Sequence, residues 1–271
     1  MFLDVLDLRN FYAQPLGVAA AQHINEGVRH HWPNLNGLSV LGVGYAPPYL
    51  RSMRGEAGRS LAFMPSRQGA VYWPSSGASL TTLMDADALP LPDSCIDRIL
   101  LIHMLELVDN PATHLREIWR VLTPGGRLLV VVPNRRGVWA RVEHSPFAYG
   151  RPFSKGQLTH LMRDTMFTPL RWSEALHFGP FKGKGYFGSA RLWERIGRRC
   201  WPAFAGVHIV EATKLMRQAL PAQEANMLQA SFRPVFLPVP NLPTSYSASH
   251  LRNPFFDWQG DVDWRDSDPQ S

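Results

Sequence analysis

The segment 83–134 constrains the fold most strongly, because short apolar runs alternate in it with a helical pattern. Residues 83–86 end an apolar run on a carboxylate, and residues 96–102 are β-branched and Leu-rich, as in buried strands. Residues 111–122 place apolar side chains at helical spacing, and a Pro-Gly-Gly turn then leads into a second buried strand, 128–132. This order predicts half of a doubly wound parallel sheet, which binds ligands at the carboxyl ends of its strands.

Four motifs of this segment carry a family resemblance. They are DADALPLPD at 85–93, ID at 96–97, HMLEL at 103–107 and RVLTPGG at 120–126. Together they closely resemble the Rossmann-like, S-adenosylmethionine-dependent methyltransferases of the type 11 group, and weaker similarity extends over residues 40–214. The resemblance implies a doubly wound, mostly parallel seven-stranded α/β sheet with an antiparallel last strand. It also implies S-adenosyl-L-methionine as the cofactor.

The resemblance places the family's cofactor contacts in a glycine loop and at the ends of three later strands. The corresponding residues are Gly42, Gly44, Tyr45, Ala46, Met64, Asp85, Ala86, Ile102 and His103. We expect Asp85 to accept a hydrogen bond from the adenine amino group, while Ala86 offers its backbone amide. Residues without a large Cβ let the backbone approach a cofactor. Gly44→Val is therefore expected to abolish binding and leave the fold intact.

Two positions depart from the family pattern. The family usually has an acidic residue where this chain has Gly42, and an Asp or Glu for the ribose hydroxyls where it has Met64. Residues 66–82 are rich in Gly, Ser and Pro, which predicts a loop instead of the usual helix. In that loop Tyr72 or Trp73 either covers the adenosine or packs on the sheet edge. The departures support a second hypothesis, a catalytically degenerate methyltransferase-like binding or regulatory domain.

The family's reaction requires little acid–base catalysis by the protein. A sulfonium methyl is already electrophilic, so holding the reactants in line accounts for much of the acceleration. A general base is needed only where the acceptor must lose a proton. His103, Glu106 and His144 are the candidates, but each also has a structural interpretation, such as Glu106 bonding backbone at a helix start. The catalytic residue is therefore left open.

Charge and ring content suggest where the acceptor binds. The net charge is +6, and basic residues are interleaved with aromatic ones over 135–155 and 181–199. In the family these loops build the acceptor side of the cleft, so we expect a small-molecule acceptor of anionic or amphipathic type, with Arg136 and Arg151 close to it. A solvated basic face is the alternative. No Asn-Pro-Pro-Tyr-like motif follows the strand 96–102, which argues against a nucleic-acid substrate.

Other patterns outline the organisation of the chain. We predict helices at about 16–31, 155–164 and 188–198, the second of them from a Ser154 to Gln157 capping box, and strands at 167–175 and 207–213. Residues 1–214 would form the methyltransferase domain, with its core over 38–214. Residues 215–271 are Pro-rich and then acidic, which predicts a partly disordered C-terminal extension.

Composition favours an ordinary cytoplasmic enzyme. The 271 residues include only two cysteines, Cys95 and Cys200, so we expect neither a disulfide framework nor a metal site. No apolar run reaches about eighteen residues, and the N-terminus lacks a basic region followed by an apolar stretch. We therefore expect no membrane span and no secretion. The acceptor, the atom methylated and the oligomeric state stay open.

Overall fold

A computed structural model describes residues 3–143, 145–180, 194 and 204–215 of the chain. Its strands are β1 (Ser39–Gly44), β2 (Arg59–Pro65), β3 (Thr81–Met84), β4 (Ile96–Ile102), β5 (Leu122–Pro133), β6 (Phe167–Ala175) and β7 (Val207–Lys214). Its α-helices are α1 (Val5–Ala13), α2 (Pro15–His31), α3 (Pro47–Leu50), α4 (Pro111–Val121) and α5 (Lys155–Asp164). Two short 3-10 helices, Val138–Arg141 and Pro146–Ala148, follow β5.

The strands form one seven-stranded sheet in the order β3-β2-β1-β4-β5-β7-β6. The pairs from β3 to β5 are parallel, whereas β7 runs antiparallel to both of its neighbours. Strand order reverses between β1 and β4, and that switch point is where open α/β sheets bind their ligands. The Rossmann-like sheet with an antiparallel last strand is confirmed.

The central strands are buried on both faces, which explains their continuous apolar sequences. Successive side chains of a strand point to opposite faces. Leu100 and Ile102 of β4 accordingly pack in one apolar cluster with α1, α2 and α3, and Ile99 and Leu101 pack in a second cluster with α4 and α5. The sheet is therefore the middle layer of three.

Local sequence signals determine where two helices begin. The Asn110 side chain accepts a hydrogen bond from the backbone of Thr113, which caps α4, and Pro111 occupies its first position. The predicted capping box is present, with Ser154 and Gln157 bonding reciprocally at the start of α5. The predicted helix 155–164 and strand 167–175 have the observed bounds.

The structure differs from the sequence-based elements at two places. Helix α1 was not predicted; Asp4 caps it, and its buried side chains are Val5, Leu8, Phe11 and Tyr12. Strand β5 begins at Leu122, so the Gly-Gly turn lies inside the strand as an irregularity in its pairing with β4. Residues 66–80 contain no helix, in agreement with the predicted loop.

Parts of the prediction lie outside the described residues. Of the predicted helix 188–198 only Glu194 is described, and it is helical. All described residues belong to the compact unit Met1–Gln218, and the extension 215–271 lies outside them except for Leu215. The domain boundary near residue 214 stays a prediction. Within the described part of the chain, no helix is long and apolar enough to cross a membrane.

Candidate functional site

The sheet brings the predicted glycine loop beside the end of β4. Gly44 lies opposite Ile102 in the parallel pairing of β1 and β4, and the backbone N–H of Tyr45 donates to the Ile102 carbonyl at 3.1 Å. Tyr45, Ala46, Ile102 and His103 are all less than 5% exposed. The sequence-predicted residues of these two strands therefore meet at one place, but their side chains are buried.

Gly44 is required by neighbouring backbone. Its φ is +88°, and a Cβ at this position would collide with the Ile102 carbonyl oxygen and lie 3.0 Å from the Cβ of Met104. A branched side chain would therefore meet protein atoms before it met a cofactor. The expectation that Gly44→Val leaves the fold intact is wrong.

Gly42 has no room for the acidic side chain that the family usually carries there. A Cβ at Gly42 would collide with the Cβ of Ala46 and approach Leu50 Cδ1 to 2.8 Å. Gly42 thus permits α3 to pack closely on β1. Met64, at the end of β2, is fully buried in the apolar cluster beneath α2 and α3, so it presents no polar group to a ribose.

A tyrosine from α1 covers the meeting point of β1 and β4. The Tyr12 hydroxyl lies 2.6 Å from His103 Nε2 and 2.7 Å from the Tyr49 hydroxyl, and its ring stacks on Tyr45 at a centroid distance of 5.6 Å. Burial raises the pKa of Tyr12 and Tyr49 well above the usual tyrosine range and that of Tyr45 to about 12. All three hydroxyls are therefore neutral at physiological pH.

Two of the three candidate bases form a buried pair. His103 Nδ1 lies 3.7 Å from Glu106 Oε1, and the His103 ring packs on Phe147 at a centroid distance of 4.7 Å. Burial lowers the pKa of His103 to about 3 and raises that of Glu106 to about 7. At neutral pH His103 is an uncharged imidazole, hydrogen-bonded to Tyr12. The third candidate, His144, lies outside the described residues.

A small pocket lies at the ends of β2 and β3, beside the Asp85 motif. Its volume is about 130 Å³, and its lining includes Ser66, Arg67, Asp85, Ala86 and Asn110. The Asp85 carboxylate is exposed and accepts only from the backbone N–H of Asp87, at 3.1 Å, among the hydrogen bonds that the structure describes. One acceptor oxygen of Asp85 is therefore available to a ligand.

The turn after Asp85 is fixed by a buried histidine. His114 Nδ1 of α4 lies 2.5 Å from the Ala86 carbonyl oxygen, which can only accept, so this nitrogen carries the proton. His114 is fully buried, and burial lowers its pKa, so the ring is neutral at physiological pH. This contact ties the Asp85–Ala86 turn to α4. The HMLEL and DADALPLPD motifs gave no sign of it, because His114 belongs to neither.

The predicted acceptor surface has a different composition from the one expected. Trp139 and Phe147 are at most 1% exposed and pack in the core beneath α1, so they do not face an acceptor. Arg135, Arg136 and Arg151 are exposed, as in the solvated-face alternative. Arg136 does line a cavity of about 340 Å³ with Lys155, Glu174 and His208 among others. The cluster 181–199 lies outside the described residues except for Glu194, so the acceptor site stays a prediction.

Comparison with known proteins gives matches to methyltransferases. Residues 30–130 match the family model for a methyltransferase domain. A demethylmenaquinone methyltransferase of Thermus thermophilus is 29% identical over 128 residues, which are 45% of this chain and 50% of that protein. A ubiquinone/menaquinone biosynthesis C-methyltransferase of Pseudoalteromonas translucida is 46% identical over 48 residues, 18% of this chain and 19% of the relative. The chain thus spans half or less of these curated relatives.

The fold is shared with a solved structure over most of both chains. An S-adenosylmethionine-dependent methyltransferase of Thermotoga maritima has a TM-score of 0.54 at 18% identity, and the match covers 78% of this chain and 96% of that one. At this identity the likeness concerns the fold alone. The matched family, the motifs and the sheet order agree with one another. Residues 30–130 therefore match the methyltransferase domain family, in a chain with the Rossmann-like fold of class I S-adenosylmethionine-dependent methyltransferases.

Proposed function

We propose that this chain binds S-adenosyl-L-methionine and transfers its methyl group to a small-molecule acceptor. The observation that carries the proposal is the position of the Asp85 motif, which ends β3 beside a pocket and lies within the family-matched residues. One curated relative is named a ubiquinone/menaquinone biosynthesis C-methyltransferase and the other a demethylmenaquinone methyltransferase, which favours a small molecule as acceptor. Because these matches are short, they do not identify a particular quinone as the acceptor of this chain.

The residues expected to bind the adenosine half of the cofactor are compatible with that role. Asp85 has an exposed carboxylate oxygen for an amino-group donor, and the His114 contact holds the Ala86 turn in place. When bound, the cofactor supplies an electrophilic sulfonium methyl group. The protein would then contribute position and exclusion of water, since no described side chain needs to form a covalent bond.

The residues of the amino-acid half fit only after a change of conformation. Tyr12 covers Tyr45 and reaches His103, and Gly42 offers no carboxylate. We therefore propose that α1 moves away from β1 and β4 when the cofactor enters. His103 and Glu106 would become accessible by the same movement, and a neutral His103 is in the protonation state that accepts a proton.

A second candidate function is a degenerate, methyltransferase-like binding domain. The filled space above Gly44 favours it, because Tyr12 makes two hydrogen bonds and a ring stack there. If those contacts outweigh cofactor binding, the chain keeps the fold without the chemistry.

Calorimetric titration of the full chain with S-adenosylmethionine and S-adenosylhomocysteine tests the proposal. Asp85→Ala should weaken binding about threefold to tenfold, the range for loss of one exposed hydrogen bond. Asp164→Ala, which removes an exposed carboxylate at the end of α5, is the control and should bind normally. Absence of binding by either compound would overturn the proposal.

Transfer is measured separately from binding, with methyl-tritiated cofactor and a panel of small aromatic and amphipathic acceptors. Label in a small-molecule product supports the enzyme. Tight binding of both cofactor forms with no label transferred across the panel favours the degenerate domain instead. Binding that is unchanged in Asp85→Ala would place the cofactor elsewhere.

A further inference from the structure

A groove lies between α1, α2, α3 and the loop 66–80, in the layer of helices on one face of the sheet. Its volume is about 670 Å³, within the range of small-molecule sites. It shares no lining residue with the Asp85 pocket, and it shares Tyr12 and Tyr45 with the place where α1 covers the end of β4. Neither the family motifs nor the proposed methyl transfer accounts for this groove.

The loop 66–80, which contains no helix, forms one wall of the groove. Gly69 and Gly77 adopt positive φ there, which bends the loop. The Trp73 carbonyl accepts from the backbone N–H of Leu80 at 2.7 Å, and the Tyr72 hydroxyl donates to the Gly77 carbonyl. These bonds hold the two aromatic residues on the groove wall. They line this groove, and the Asp85 pocket does not include them.

The walls of the groove offer flat apolar surfaces. Tyr72 is 64% exposed on the groove wall, whereas Trp73 and Tyr45 are 6% and 4% exposed and add little accessible ring surface. Pro48, at the start of α3, adds a rigid apolar surface. An aromatic ring that stacks on such side chains gains about 0.5–1.5 kcal/mol beyond burial of its area.

The groove is basic. Arg9 of α1 and Arg51 after α3 line it, and no Asp or Glu is among its described lining residues. Neither arginine forms an ion pair within the part of the chain that the structure describes, whereas Arg29 and Arg67 pair with carboxylates at 2.7 and 3.0 Å. Burial raises the pKa of Tyr45, and the positive charge of Arg9 partly offsets that rise. The Arg9 guanidinium is therefore close enough to Tyr45 to interact with it electrostatically.

We propose that this groove binds a small aromatic carboxylate. The planar guanidinium groups of Arg9 and Arg51 match a carboxylate, and the exposed ring of Tyr72, together with Pro48, matches an aromatic body. The proposal does not rest on the proposed methyl transfer. It requires no chemistry of its own.

A pair of probes that differ in charge alone tests the proposal on the full chain. The probes are 2-naphthoate and its neutral analogue 2-naphthamide, titrated at pH 7.5 with calorimetry. We expect naphthoate to bind about tenfold more tightly, as a charge-assisted hydrogen bond adds to the shared ring contact. Equal affinities, or no binding of either probe, would overturn the proposal.

Variants of the two arginines test whether the preference for 2-naphthoate over 2-naphthamide arises in the groove. In Arg9→Gln/Arg51→Gln the two probes should bind equally, since the rings stay and the charges go. The matched control, Arg54→Gln/Arg116→Gln, removes two exposed arginines outside the groove and should keep the tenfold preference. Circular dichroism checks that both double variants fold. A preference that survives in Arg9→Gln/Arg51→Gln assigns the probe to another surface and contradicts the proposal.

Discussion

Glu106 is a buried carboxyl group whose surroundings favour its protonated form. Its Oε2 has no hydrogen-bond partner among the described residues, and burial raises the pKa of Glu106 to about 7. His103 beside it has the opposite response, because burial lowers its pKa to about 3. Desolvation acts against the charged form of each group. Below pH 7 the pair is therefore mostly a neutral acid next to a neutral base, and Glu106 is about half ionised at neutral pH.

This difference predicts how the free energy of unfolding depends on pH. The stabilisation associated with protonated Glu106 is full below its unfolded pKa of 4.5 and is lost as the pH rises through 7. The contribution of His103 has the opposite sign: it is present above pH 6.5 and is lost as the pH falls towards 3. The two slopes oppose each other between pH 4.5 and 6.5, so the Glu106 slope stands alone above pH 6.5.

Glu106→Gln should therefore stabilise the protein at pH 8 and remove the fall in stability between pH 6.5 and 8. We expect a gain of about 1–3 kcal/mol at pH 8 and a smaller one at pH 6, measured by urea denaturation at both values. Glu143→Gln, in an exposed loop, is the control and should leave the slope unchanged. A stability difference that is the same at both pH values would contradict this assignment.

Gly44 gives a second prediction at the scale of one residue. Gly44→Val should lower the free energy of unfolding by at least about 3 kcal/mol, because it combines a positive φ with a backbone collision. Gly55→Val is the matched control, since a Cβ there meets nothing within 4 Å. Thermal unfolding followed by circular dichroism compares the two. A Gly44→Val protein as stable as Gly55→Val would show that the loop can rearrange.

At the scale of elements, α1 covers the end of β4. Val5, Leu8 and Phe11 bury its inner face, and Tyr12 adds the hydrogen bonds to His103 and Tyr49. Tyr12→Ala removes the side chain that covers Tyr45 and should raise the affinity for S-adenosylmethionine several-fold. This follows because a ligand no longer has to displace the tyrosine, a general effect of populating the binding-competent state.

Calorimetry measures that affinity, with Leu6→Ala as the control on the exposed side of the same helix. Tyr12→Phe keeps the ring and loses the hydroxyl, so its affinity should lie between those of Tyr12→Ala and the unchanged protein. Weaker binding in Tyr12→Ala would mean that α1 closes over the cofactor as a wall of its site, contrary to the movement proposed above.

Elements held by interactions between residues close in sequence were predicted well, and elements held by interactions between distant residues were not. Helix α5 was predicted with its observed bounds because Ser154 and Gln157 are three residues apart and cap it locally. Strand β4 was found from its own apolar run. The burial of α1 depends on contacts such as that of Tyr12 with His103, which is 91 residues away in the sequence. The sequence near residue 12 contains no signal that predicts this contact.

The candidate site divides in the same way. Asp85 was predicted from a contiguous motif, and it does border a pocket. The reason for Gly44 was misjudged because the atoms that exclude a side chain belong to Ile102 on another strand. The aromatic residues 139 and 147 were expected to face an acceptor, but sequence alone does not tell a core ring from a surface ring.

For the whole molecule, the three-layer arrangement predicts a gradient of local stability. Amide hydrogen exchange of the full chain should be slowest in β4 and β5, which lie mid-sheet with both faces covered, and fastest in the loop 66–80. Mass spectrometry of peptic peptides measures this directly. Rates in residues 66–80 as slow as those of β4 would contradict the open groove wall described above.

Helix α1 takes part in two places at once: Tyr12 covers the end of β4, and Arg9 lines the groove beside α3. A molecule bound to Arg9 would hold the helix where it is, whereas a cofactor at Gly44 would need it elsewhere. The two ligands would therefore be antagonists through the position of α1. Thermodynamic linkage makes the effect mutual, so that each would weaken the other by the same factor. A nine-residue helix would then couple the level of one metabolite to the use of another.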